Sequence, residues 1–197
     1  MAQSSSLTGA GSKALWPLRL AREADAPELE ALIALSVRKL QAASYTEEQR
    51  EAAIGTVFGV DHQLIRDGTY LVAEEHGRIV GCGGWSRRRK LCGSSTITAG
   101  EADALDPRID AARVRAFFVH PDYARRGIGR SIMAACEEAI MAAGFKDVLI
   151  VATLAGEPLY ASFGYTVVER YETPMANGLT LPVVRMTKTL ATSCKTR

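Results

Sequence analysis

Residues 113–130 read RVRAFFVHPDYARRGIGR. Gly127 and Gly129 lie among Arg125, Arg126 and Arg130, where an apolar run gives way to a helical pattern. The first four N–H groups of a helix lack intrahelical acceptors, and the helix dipole adds partial positive charge there. Such an end holds anions, phosphates above all. Gly127 and Gly129 have no Cβ to keep a phosphate off the backbone, and the arginines add charge and donors. Neither the GxGxxG of a dinucleotide turn nor the GK[ST] of a P-loop is present. Taken alone, these residues equally allow a Gly-rich turn that opens a solvated helix.

The flanking elements decide what such a turn can do. Arg113–Val119 reads as a strand stopped by His120-Pro121-Asp122. Beyond the glycines, Ile128, Ile132, Cys136, Ala139 and Ala143 share one helical face, and Gly144 suits the C-cap. Upstream, LRLA (18–21) is a short strand. Asp25 with Glu28 forms a capping-box pattern, with Pro27 in the first turn, and predicts a helix over 26–40. Thr46 with Gln49 repeats the signal and opens a second helix toward Phe58. A helical turn before Asp67-Gly68 leads into a hairpin, TYLVAEE (69–75) and IVGCGGWS (79–86), joined across His76-Gly77-Arg78. Residues 88–111 read as a long surface loop that could act as a lid. DVLIVAT (147–153) is a continuous apolar strand. A short helix over 157–163 and two strands, YTVVERYE (165–172) and TLPVVRMTK (180–188), complete the chain. The order predicts a mixed α/β sheet with helices on both faces.

In this setting VHPDYARRGIGRSIM (119–133) resembles the acetyl-CoA-binding motif of the GNAT N-acetyltransferases, Q/R-x-x-G-x-G/A. Gly127 and Gly129 match its glycines. Ala124 stands where Gln or Arg is frequent, and Arg125 where many members carry Gly. A second likeness follows about 30 residues on, in DVLIVATLAGEPLYASFGYTVVER. Pro158-Leu159-Tyr160 and Phe163-Gly164-Tyr165 resemble the family's short Tyr-bearing helix and its Gly-aromatic pair. Leu154 and Ala155 occupy the region where an Asn is common. The resemblance covers roughly residues 18–190. It implies an α+β fold with a largely antiparallel sheet, a splayed central parallel strand pair and helices on both faces. It also implies acetyl-CoA as co-substrate, its pyrophosphate cradled by N–H groups of Arg126, Gly127, Ile128, Gly129 and Arg130. Phe118 and Val119 would offer backbone groups to the pantetheine and the thioester.

Acetyl transfer to an amine needs a neutral amine, a held carbonyl and a protonated leaving thiolate. Neutralising a lysine-like amine at pH 7 costs about 4–5 kcal/mol. Tyr160 is the candidate general acid, against a packing role for the same ring. Tyr165 reads as a core aromatic and His120 as a turn residue that could also titrate. No general base is assigned; Glu74 and Glu75 could face either side of their strand. Tyr45, Trp85 and Arg87, with Arg88 and Arg89, are the candidates for the acceptor side, where a basic run beside an aromatic could hold a carboxylate. Such a run also fits a solvated face.

The chain has 197 residues, 47% hydrophobic and 23% charged, with a net charge of +2. That is one domain's worth of core and too little charge to argue for nucleic acid or a membrane surface. Cys82, Cys92, Cys136 and Cys194 lack zinc-ligand spacing, so no metal is expected, and they fit a reduced, cytoplasmic setting. Residues 1–14 read as a flexible extension, 15–190 as a single domain and 191–197 as a tail. The expected function is N-acetyl transfer to an amine, most simply of a small molecule. The alternatives are a protein lysine or N-terminus as acceptor, and a non-catalytic acyl-CoA-binding module. A homodimer is compatible with the sequence.

Overall fold

In the computed structural model, residues 16–89, 104–175 and 178–190 are described. The chain order is β1 (Leu18–Leu20), α1 (Ala26–Leu40), α2 (Glu47–Ala53), α3 (His62–Arg66), β2 (Tyr70–Glu75), β3 (Arg78–Ser86) and β4 (Ala112–Val119). It continues with α4 (Ile128–Ala142), β5 (Asp147–Thr153), α5 (Glu157–Ser162), β6 (Thr166–Pro174) and β7 (Thr180–Thr189). Seven strands form one sheet in the order β1-β2-β3-β4-β5-β7-β6. Only β4 and β5 run parallel. The predicted extension and tail, and most of the predicted 88–111 loop, lie outside the described residues.

Two cores sandwich the sheet. On one face α4 buries Ile128, Ile132, Met133, Cys136 and Ile140 against Val114, Val148, Ile150, Val184 and Met186. Each fully buried isoleucine contributes about 1.5–3 kcal/mol. On the other face α1 buries Leu29, Leu32, Ile33 and Val37 with Tyr70, Val72 and Phe118. A glycine-rich β3 permits the packing on the α4 face. A Cβ on Gly81 would run into the Ile128 side chain, and one on Gly83 would come within 2.6 Å of the Phe117 ring.

The helix-start signals divide. Thr46 and Gln49 form the predicted capping box, the Thr46 hydroxyl accepting from Gln49 N–H and the Gln49 side chain accepting from Thr46 N–H. That helix stops at Ala53 rather than near Phe58. The Asp25–Glu28 box does not form. Asp25 instead accepts from Arg22 N–H and pairs with Arg19 at 2.7 Å, closing a short 3-10 turn ahead of α1. Glu28 accepts from Ile79 N–H at 2.8 Å and so ties α1 to β3. A carboxylate in the first turn is a signal that a tertiary donor can claim.

Candidate active site

The parallel pair is registered only from Ala112–Val114 against Val148–Ile150. Beyond it β4 turns away. Two steps along β3, Cys82 to Gly84, are matched by three along β4, Phe118 back to Arg115. This is a β-bulge, which bends the strand that carries the extra residue. Ala116 takes φ 60° within it, a left-handed conformation that costs a non-glycine residue about 1–2 kcal/mol. A buried pair holds it there: the Tyr70 hydroxyl lies 3.4 Å and the Cys82 thiol 3.7 Å from the Ala116 carbonyl oxygen.

The separation opens a cleft of about 90 Å³. Phe117, Phe118, Val151, Thr153 and Tyr160 line it on the sheet side, and Val57, Phe58 and Asp61 from the α2–α3 region. Tyr160 is buried in the α4-side core and lines the cleft, its ring edge-on to Phe117 at 6.0 Å. Burial pushes its phenol above the ordinary value, so it stays protonated through neutral pH. Tyr165 is core, as expected, and burial likewise raises its phenol.

At the start of α4, Gly127 is the N-cap at φ 95°, and the first helical bond runs from Ser131 N–H to Gly127 O. Among the described residues, the N–H groups of Arg126, Gly127, Ile128, Gly129 and Arg130 donate to nothing. These five N–H groups form an unengaged donor array at the start of α4. Its two glycines have different surroundings. A Cβ on Gly127 would meet open space, whereas one on Gly129 would sit 3.1 Å from the Leu159 side chain of α5. Arg125, where the family often has Gly, holds φ 64°. The guanidinium of Arg126 stacks on Tyr123 at 4.9 Å and that of Arg130 on Phe163 at 5.4 Å. Trp16, which the sequence reading passed over, donates its indole N–H to the Arg126 carbonyl at 3.0 Å.

The two strand residues proposed for the thioester differ in orientation. The N–H of Phe118 faces the Cys82 sulfur on β3, while that of Val119 donates to the Ser36 hydroxyl of α1 at 3.4 Å. The Phe118 ring packs on Phe58. His120 is a turn residue whose Nδ1 caps Asp122 N–H. Glu74 is paired with Arg19, and neither Glu74 nor Glu75 lines the cleft.

The acceptor-side candidates do not gather at the cleft. Trp85 is buried in the α4-side core against Phe145, and Arg87 stacks on it at 6.0 Å. Arg88 pairs with Asp67 at 2.8 Å and Arg89 with Asp110 at 3.5 Å. Tyr45 is buried, its hydroxyl donating to Pro182 O and accepting from Leu154 N–H. It pins the end of β5 to β7. The cleft instead holds an ion pair the sequence reading missed, Arg115 with Asp61 at 3.0 Å, both side chains nearly buried. The missed signal was Arg113 and Arg115 at alternate positions of an otherwise apolar strand, which puts both on one face.

Comparison with known proteins now carries weight. Residues 66–167, a little over half of the 197-residue chain, match the family model described as Acetyltransferase (GNAT) domain. No curated protein matches the sequence. Among solved structures, a GCN5-related N-acetyltransferase from Rhodopseudomonas palustris is 26% identical, with TM-score 0.67 over 92% of this chain and 100% of that one. The PaiA N-acetyltransferase from Thermoplasma acidophilum, solved with coenzyme A, is 14% identical, with TM-score 0.60 over 88% and 98%. YncA from Salmonella typhimurium, solved with acetyl-CoA, is 16% identical, with TM-score 0.58 over 93% and 99%. The latter two are likenesses of fold. With the family pattern running across the splayed strands and the open helix start alike, the chain belongs to the GNAT acetyltransferases and is an acyltransferase with acetyl-CoA as co-substrate.

Proposed function

We propose that the protein transfers the acetyl group of acetyl-CoA to the primary amine of a small molecule, with Tyr160 as general acid. The observation that carries this reading is Tyr160 in the lining of the cleft of about 90 Å³ beside the β4–β5 splay. A cleft of that size takes an amine on a slender chain, of which a free small molecule is the simplest. The open N–H groups of residues 126–130 would hold the pyrophosphate, with Arg125, Arg126 and Arg130 adding charge around it. The N–H of Val119, on leaving the Ser36 hydroxyl it donates to at 3.4 Å, would polarise the thioester carbonyl, as an oxyanion donor does.

The chemistry fits the surroundings. Attack by the neutral amine gives a tetrahedral intermediate; its collapse breaks the C–S bond, and the thiolate takes a proton. A thiolate expelled into a desolvated cleft is a stronger base than in water, and Tyr160 in the cleft lining is the phenol that can protonate it. Asp61 is the carboxylate that lines the cleft, and it is engaged with Arg115 and the N-terminus of α3. The acceptor accordingly loses its ammonium proton to water, and the rate rises with pH toward the amine's own pKa. The free, buried Cys82 and Cys136 support a reducing compartment. No helix among the described residues is long and apolar enough to cross a membrane.

The test is a panel of small primary amines with acetyl-CoA, reading free CoA and the acetylated product by mass. Amine-dependent release of CoA is expected for one chemical group of amines. Acetylation confined to protein lysines or N-termini would overturn the small-molecule reading.

A further inference from the structure

The five-donor array at the start of α4 depends on a turn that holds two left-handed residues, Arg125 at φ 64° and Gly127 at φ 95°. Each such residue is a conformation that the turn alone does not guarantee. The carbonyls on the back of this turn are both held. Trp16 donates its indole N–H to Arg126 O at 3.0 Å. The Ser131 hydroxyl donates to Gly127 O at 3.2 Å and accepts from the Trp16 backbone N–H at 3.0 Å. The Trp16 ring stands edge-on to Tyr123 at 6.2 Å, and Tyr123 carries the Arg126 guanidinium at 4.9 Å.

A peptide unit is planar and trans, so its C=O and the following N–H point in opposite directions. Fixing the Arg126 carbonyl therefore aims the Gly127 N–H, and fixing the Gly127 carbonyl aims the Ile128 N–H. Neither of these donors has an acceptor among the described residues. A strand-leading residue more than a hundred positions upstream thus sets the direction of two donors in the pyrophosphate cradle.

We infer that Trp16 is a positioning residue for acetyl-CoA, bracing the α4 turn so that its N–H groups are pre-aimed at the pyrophosphate. This rests on that cradle being the pyrophosphate site. Pre-organisation acts on binding, because the turn would otherwise be ordered at the expense of affinity. It does not touch the bond that breaks. The loss on removing Trp16 falls on the KM for acetyl-CoA and spares kcat at saturation.

The experiment compares acetyl-CoA with S-acetylpantetheine, a donor that keeps the thioester and lacks the pyrophosphate. In Trp16→Phe the KM for acetyl-CoA and the Kd for CoA are expected to rise about tenfold, or about 1.4 kcal/mol. The KM for S-acetylpantetheine and the kcat with either donor stay within about twofold, a change of under about 0.5 kcal/mol. A CoA affinity within twofold of wild type, or an equal loss with both donors, overturns the assignment. Gly127→Ala separates the two levels: if it also leaves CoA affinity intact, the cradle itself is wrong; if it alone weakens CoA, only the Trp16 role fails. A second readout uses the unmodified sequence, in case Trp16→Phe folds poorly. The chain has two tryptophans, and the indole N–H signal of Trp16 is expected to shift on addition of CoA and stay put with pantetheine, with Trp85→Phe assigning the signals. An unmoved Trp16 signal at saturating CoA overturns the inference.

Discussion

Substituting the two glycines of the α4 turn one at a time separates cofactor binding from packing. Gly127 has φ 95° and ψ 1°, and an added Cβ would meet nothing within 4 Å. Alanine there suffers backbone strain of about 1–2 kcal/mol, or about 2–8 °C in Tm for a chain of this size. The strain relaxes by turning the peptide units that aim the Gly127 and Ile128 N–H groups. CoA affinity in Gly127→Ala should therefore fall about tenfold or more, about 1.4 kcal/mol. At Gly129 the added methyl sits 3.1 Å from Leu159 Cδ2, the end of a flexible, half-buried side chain that can give way. Alanine also gains about 1 kcal/mol of helix propensity over glycine. Gly129→Ala is expected to shift Tm by no more than about 4 °C and to leave CoA affinity within about threefold, under about 0.7 kcal/mol. Calorimetric titration with CoA and a melting curve on both variants provide the numbers. Equal losses of CoA affinity, or a larger loss in Gly129→Ala, would refute the division of labour between the two positions.

Three further outcomes follow from the packing. Tyr45→Phe removes the partner of Pro182 O and Leu154 N–H and should cost about 1–3 kcal/mol in urea unfolding, with CoA affinity unchanged; a neutral result would place that hydroxyl in the acceptor site instead. Arg115→Met removes the cationic partner of the Asp61 carboxylate, leaving it the α3 N–H donors, and should cost about 3–5 kcal/mol, of which Asp61→Asn in the double mutant recovers a measurable part; strict additivity would mean the two side chains do not interact. In a Cys92→Ser/Cys194→Ser protein, the native state should resist a disulfide reagent at pH 8 and titrate two thiols in urea, because burial pushes Cys82 up to about 12 and raises Cys136 as well. Rapid native labelling would contradict the packing of both cores.

What could be read from the sequence tracked what a periodicity or a cap encodes locally. The α4 face, the α1 boundaries and the hairpin follow from patterns within one segment, whereas the splayed pair is implied by the family resemblance. The bulge at Ala116 does not, because nothing about alanine signals φ 60°; the cause lies on β2 and β3, in Gly83 and in the Tyr70 and Cys82 side chains that hold its carbonyl. Glu28 looked like a cap and serves β3, since a distant N–H claims the carboxylate. The arginines at 87–89 looked like an acceptor site and are occupied by Trp85, Asp67 and Asp110. Partners brought from distant segments redirect charged side chains in a way that spacing cannot show. Arg115 was hidden for the same reason, its partner Asp61 lying in a different element.

The reaction itself is tested at Tyr160. Tyr160→Phe keeps the ring that packs on Phe117 and Tyr165 and removes only the proton donor, so CoA affinity and Tm should be preserved. With an acceptor amine in hand, single-turnover measurement of acetyl transfer isolates the chemical step from product release. The rate is expected to fall about 10²–10⁴-fold, the range for general acid assistance, equivalent to about 3–5 kcal/mol of barrier. Retention of more than about a third of the wild-type rate, far outside that range, would remove Tyr160 from the chemistry and leave the splay without its proton donor.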